Sequence, residues 1–138
     1  MNQPLTPKEI GILWFNKVWN ERDAALIPVL MSDDAKGHLE GGQEIVGYHK
    51  FIEFQNAMLA ALPDMRVEIL ETLGDDDDAC ILWRATANHS GEGFGLTPTG
   101  KSVSFRGMTW FRIKDGKIVE GWDSWDQTGL LANLSSPA

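Results

Sequence analysis

The sequence predicts an α+β domain in which helices come first and an antiparallel sheet follows. Three observations carry this reading. Apolar residues recur every three or four positions as far as Leu62, and alternate with polar ones from Met65 onward. Pro63 stands at the change of period. Near the end, Asp115-Gly116 lies between two alternating, aromatic-rich runs, a strong hairpin signal.

Thr6-Pro7-Lys8-Glu9 begins the first helix. Thr6 can cap it, Pro7 suits its first turn and Glu9 can close a capping box. Ile10, Leu13, Trp14 and Val18 follow helical spacing, and Phe15 and Trp19 widen the apolar face. Trp14 and Phe15 suit a core and are also candidates for a cavity wall. Residues 20–23 open a short second helix toward Leu30, limited by Pro28. Residues 32–42 read as a polar, turn-rich segment. A third helix is expected from Gln43 or Glu44 to Leu62, because Tyr48, Phe51, Ile52, Gln55, Leu59 and Leu62 share its spacing. Phe51 joins the candidate wall.

Met65, Val67 and Ile69 then mark a partly exposed strand. The four carboxylates at 75–78 repel one another and predict a solvated turn. Residues 80–89 form the next strand, with Cys80 expected to pack in its apolar run. Residues 90–101 form a glycine- and proline-containing loop. Its GEGFG has no capped helix after it and so lacks the context of a phosphate-binding fingerprint. Residues 103–113 and 117–125 make the final hairpin, and residues 127–134 a tail with one helical turn.

The chain has 138 residues, 43% of them hydrophobic, which fits one domain over 1–138 with a real core. No stretch approaches the roughly 20 apolar residues of a membrane span, and the first ten residues lack the pattern of a secretory signal. With a single cysteine and no such signal, a cytoplasmic setting is expected. A net charge of −8 without a basic patch argues against nucleic acid as a partner.

Strand alternation gives a map of faces. Val119, Gly121, Asp123 and Trp125 share one face of the last strand. Phe105, Gly107, Thr109, Phe111 and Ile113 share one face of the strand before it. Trp83 and His89 fall together on the earlier strand. If Val119, Asp123, Thr109, Phe111, Trp83 and His89 all face the helices, they line a mostly apolar pocket with a few polar groups, the usual make-up of a small-molecule site. A carboxylate held there gains proton affinity, and Asp123 becomes a candidate general acid or base. Thr109 could hold that carboxylate or touch substrate. His89 could stabilise an enolate or relay a proton, and His38 could reach the cavity mouth. Asp126 reads as a cap, and Glu120, Arg106 and Arg112 as charges on the opposite face. His38, His49 and His89 show no compact ligand motif, so a metal is not expected.

The pieces ILWFNKVWNERDAALIPVLMSDD, ALPDMRVEI, WRATANHSGEGFGLTPTGKSVSFRG and FRIKDGKIVEGWDSWDQTGLL, in this order, resemble the SnoaL-like polyketide cyclases of the NTF2-like superfamily. The resemblance runs from about Ile10 to Leu134. It implies an NTF2-like cone, three N-terminal helices on a strongly curved, mainly antiparallel sheet, often paired as a homodimer. It also implies cofactor-independent intramolecular aldol closure with an acid/base aspartate on the last long strand. Asp123 stands at that position. His89 and His38 match histidines found before the glycine-rich loop and after the second helix. Thr109 stands where some cyclases carry a pocket histidine, which is a departure from the pattern.

The leading expectation is a cyclase or isomerase acting on a hydrophobic carbonyl compound. Asp123, His89 and His38 would do the chemistry, and Trp14, Phe15, Phe51, Trp83, Thr109, Phe111 and Trp125 would contact substrate. Two alternatives stand beside it. An epoxide hydrolase-like or hydratase enzyme would use Asp123 to activate water, with an arginine nearby. A non-catalytic small-molecule-binding dimer would fill the pocket with its own aromatics.

Overall fold

The computed structural model describes residues 4–136, so the ends of the expected 1–138 domain lie outside the described residues. Helix α1 spans Pro7–Leu13, and the Thr6–Glu9 capping box forms in full. The chain then continues as a π-helix over Trp14–Asn20, a wider turn that the apolar spacing did not disclose. It turns Trp14, Phe15, Val18 and Trp19 all inward. Such turns concentrate at functional sites. The Asn20 side chain then pairs with the backbone of Val67 like a short strand, donating at 2.8 Å and accepting at 2.7 Å. A 3₁₀ turn at Ala24–Leu26 leads into the short α2, Ile27–Leu30, with Pro28 in its first turn.

Two strands replace the expected polar loop: β1 at Met31–His38 and β2 at Glu44–Val46. The third helix, α3, therefore begins only at Tyr48 and ends at Ala61. Polarity disguised β1, since only Met31 and Ala35 are buried along it. Its pairing with β2 on one side and with the last strand on the other holds it in place.

The remaining strands are β3 (Arg66–Gly74), β4 (Asp78–Asn88), β5 (Ser102–Lys114) and β6 (Lys117–Trp125). The tail is more than the single turn expected. It forms α4, Gln127–Ser135, capped by the Asp126 carboxylate, which accepts the Gly129 N–H at 3.0 Å. Among the described residues six strands lie in the order β2-β1-β6-β5-β4-β3, of which only the β1–β6 pair is parallel. The α1 and π-helical segments and α3 bury their apolar sides against the inner face of this sheet.

Strand β5 alternates without interruption, with Val103, Phe105, Gly107, Thr109, Phe111 and Ile113 all turned inward. Strand β6 does not. Ile113 pairs with Ile118 and Arg112 with Glu120, so Val119 is an extra residue in the strand. This bulge corrects the expected face of Val119. Ile118 is the core residue at 4% exposure, while Gly121, Asp123 and Trp125 keep the inward side.

Two smaller expectations also change. Asp78 leaves the acidic turn to start β4, where it accepts hydrogen bonds from Arg112 and from the Trp110 indole. Cys80 sits half-buried opposite Trp110 on the outer face, where desolvation raises its thiol pKa. On that same face Met108 and Trp110 are 50% and 48% exposed.

Candidate active site

Two cross-strand rows build the site. Ile81, Thr109 and Asp123 stand side by side on β4, β5 and β6, and Trp83, Gly107 and Trp125 form the adjacent row. The rows are joined by a short hydrogen-bond chain. The Trp83 indole N–H donates to Thr109 Oγ1 at 3.0 Å, and the Thr109 hydroxyl donates to Asp123 Oδ1 at 2.7 Å. The direction is fixed, because an indole nitrogen can only donate. No other protein hydrogen bond to the carboxyl forms among the described residues, which leaves Oδ2 for whatever enters the cavity.

Gly107 makes the second row possible. A β-carbon there would lie 2.3 Å from Trp125 Cβ, 2.7 Å from the Ser124 carbonyl and 2.8 Å from the Trp83 ring. The absent side chain lets the two indoles close in from both sides.

Asp123 lines a cavity of about 50 Å³ between the sheet and the helices. Trp14, Phe15 and Trp19 of the π-helical segment, Phe51 of α3 and Trp83, Thr109 and Trp125 of the sheet contribute to its wall. At about 10–15 Å³ per water, it has room for a handful of water molecules. Asp123 keeps some exposure to solvent, yet desolvation among these aromatics pushes its carboxyl up to about 6. The Thr109 hydrogen bond opposes that rise, and the negative charge of Glu40 adds to it. An acid of this strength, beside an apolar cavity, can take a proton from a bound molecule and return it.

The sequence profile of the SnoaL-like polyketide cyclases matches residues 11–134. The chain belongs to that family. No functionally curated protein matches it. Among solved structures, a protein assigned as a SnoaL-like polyketide cyclase from Jannaschia superimposes with a TM-score of 0.89 at 19% identity, covering 99% of this chain and 100% of that one. AclR from Streptomyces galilaeus, assigned as a hydroxylase, reaches 0.83 at 28% identity, covering 96% and 83%. IdmH from Streptomyces antibioticus, assigned as a polyketide cyclase, reaches 0.84 at 24% identity, covering 96% and 100%. The architecture of helices packed on a sheet is therefore the NTF2-like one.

Within this SnoaL-like domain the expected site residues divide. Asp123, Thr109, Trp83, Trp125, Trp14, Phe15 and Phe51 come together on the cavity. Phe111 does not reach it and packs in the core against Trp14 and Phe15. His38 lies on the outer face, stacked on Trp122 at 5.2 Å and held between Glu120 at 2.7 Å and Glu44 at 3.1 Å. His89 is fully buried but stands eight residues beyond Ile81, about 26 Å along an extended chain. Its Nδ1 lies 3.0 Å from the Thr99 hydroxyl and accepts the Thr99 N–H at 3.2 Å, which ties down the loop after β4. Neither histidine lines the cavity.

The arginine wanted by an epoxide hydrolase reading is also elsewhere. Arg84 pairs with Glu68 at 3.5 Å and Arg112 with Asp78 at 3.2 Å, while Arg106 is exposed on the outer face. Phe54, Met58, Met65, Val67, Ala85 and Phe105 also line the wall, though they were not among the expected site residues. Phe105 was legible as an inward residue of β5. Phe54 lies on a flank of α3 that the helical spacing did not single out.

Proposed function

We propose that the protein is a cyclase or isomerase acting on a hydrophobic carbonyl compound, with Asp123 as its base. The supporting observation is one carboxyl group, hydrogen-bonded on a single oxygen by Thr109 and lifted to about 6, on the wall of an aromatic cavity. The family and its structural relatives favour cyclase-type chemistry. In the proposed reaction the Asp123 carboxylate removes a proton from the carbon next to a carbonyl. The enolate carbon attacks a second carbonyl carbon of the same molecule, forming a carbon–carbon bond. The new alkoxide takes the proton back from Asp123, so no net proton is gained or lost. With no imidazole on the wall to stabilise the enolate, the carboxylate suits a C–H already acidified by two flanking carbonyls. A sheet that curls over the helices as a cone would close the chamber around such a substrate.

The pH dependence tests this. With a 1,3-dicarbonyl substrate, kcat/KM is expected to rise with pH through a midpoint near 6, as Asp123 ionises. A profile flat from pH 4.5 to 8 removes Asp123 as the base. Thr109→Val removes the hydrogen bond that holds the carboxyl down, so the midpoint should move to higher pH. The same change leaves the Trp83 N–H without its acceptor, at a cost of about 1–3 kcal/mol in stability by chemical denaturation.

We also propose that a second copy of the chain covers the outer face around Met108 and Trp110, giving a homodimer in the cytoplasm. Trp110→Glu should halve the mass measured by light scattering. A wild-type chain that already runs as a monomer at micromolar concentration counts against it.

A further inference from the structure

The cavity beside Asp123, with room for only a handful of water molecules, is too small for a ring-closed hydrophobic product. Immediately outside it lies a second hollow of about 320 Å³. Three side chains belong to both walls: Phe54 and Met58, one turn apart on α3, and Trp125 at the end of β6. The partition between the two spaces is therefore made of side chains, and two of the three, Phe54 and Trp125, are only partly buried. Met58 is flexible and tolerates repacking.

The outer wall is firmly seated. The Gly91 N–H donates to the Ala61 carbonyl at the end of α3, and a β-carbon at Gly91 would lie 1.7 Å from the Ala60 carbonyl oxygen. Phe94 holds a left-handed backbone with φ of +57°, which costs a bulky residue energy and persists only where its surroundings enforce it. The buried His89 clamps Thr99 at the far end of the same loop. The loop side of the outer hollow is thus anchored by backbone contacts, whereas the partition consists of side chains.

The polar groups of the outer hollow are Glu40, Gln43, Glu92 and Gln127, and among the described residues no lysine, arginine or histidine lines it. Acceptors and negative charge predominate there, in a protein whose net charge is −8. Glu40 is near enough for its charge to act on Asp123.

Resting on the reading of the inner cavity as the reaction site, we propose that the two hollows form one substrate site divided by Phe54, Met58 and Trp125. The rim of Glu40 and Glu92 selects a free, uncharged or cationic compound whose outer end carries hydroxyl or amine donors. An acyl group delivered on an anionic carrier is disfavoured, because its phosphate would meet these carboxylates without a compensating cation.

Three probes with one aromatic body test this: 2-(2-naphthyl)ethanol, 2-(2-naphthyl)ethylamine and 2-naphthylacetate, titrated at pH 7.5 with the methionine methyl groups observed by carbon-edited NMR. Met58 reports the partition and Met65 the inner wall. The alcohol and the amine should bind at least tenfold more tightly than the carboxylate and shift both methyl signals. In the double variant Glu40→Gln, Glu92→Gln the preference should shrink to less than threefold. In Asp123→Asn, which is neutral at the inner end, the preference should persist. Binding that moves Met58 but never Met65, equal affinity for the carboxylate, or no binding of any probe each overturns the proposal. A failure of Asp123 as base shows instead in turnover and its pH profile, which these titrations do not read.

Discussion

Asp123→Asn should lower turnover by about 10²–10⁴-fold, the usual contribution of a positioned acid or base, while making the folded protein more stable at pH 8. The first half follows from Oδ2 being the one free polar atom of the Thr109–Asp123 chain on the cavity. Asparagine keeps an oxygen for the Thr109 hydroxyl and loses the capacity to take a proton. The second half follows from linkage. The carboxyl has a folded pKa of about 6 against an ordinary value of 3.8, so between those values the folded state binds more protons than the unfolded state. Stability must then fall as pH rises through that window. The charge costs about 1–3 kcal/mol above pH 7, allowing for screening by cavity water. At pH 4 the folded carboxyl is protonated while the unfolded one, with its ordinary value of 3.8, is only about half ionised, so most of the penalty is absent. Urea denaturation at pH 4 and pH 8 reads this directly, with the variant gaining at pH 8 only. A variant that loses stability at pH 8 would show that the ionised carboxylate is a structural anchor instead.

Gly107→Ala should be the most damaging one-carbon change in the sheet. The new methyl group meets Trp125 Cβ, a backbone carbonyl and the Trp83 ring at once, all well inside contact distance. Two of these neighbours are backbone or anchored at Cβ, so rotating a side chain does not relieve them. The overpacking should cost about 3 kcal/mol or more. Prising the two indoles apart should also lengthen the Trp83–Thr109 hydrogen bond and so alter the Asp123 environment. Thermal unfolding and the Asp123 carboxyl carbon shift across pH measure the two effects. A variant as stable as the parent, with an unchanged titration, would mean that β5 and β6 yield where the structure shows them in tight register.

Much of this site was readable in the sequence because strands write their faces at period two. Thr109 and Trp83 followed from uninterrupted alternation, and Asp123 stayed on the same side as Trp125. Val119 was misplaced because a bulge adds a residue without leaving any compositional mark. Strand β1 was hidden for a related reason. Its Ser-Asp-Asp-Ala-Lys-Gly run has little apolar surface, and its order comes from ladder bonds to the short β2 that follows it and to β6, far away in sequence. The histidines were misjudged because face is not position. His89 has the inward side expected for it yet stands far down its strand, and His38 stacks on the outward Trp122. The π-helical turn had no sequence signature beyond a crowding of large apolar residues.

The parallel pairing of β1 with β6 has a kinetic consequence. It joins Met31 to Ile118 and His38 to Trp122, so the strand bearing Asp123 is flanked on one side by a local hairpin and on the other by residues more than eighty positions earlier. Contacts of such long sequence separation are slow to form, since the intervening chain must be ordered first. A folding chain cannot complete its sheet until β6 has paired with β1. Its aromatic interior stays open to solvent, and to aggregation, until that moment.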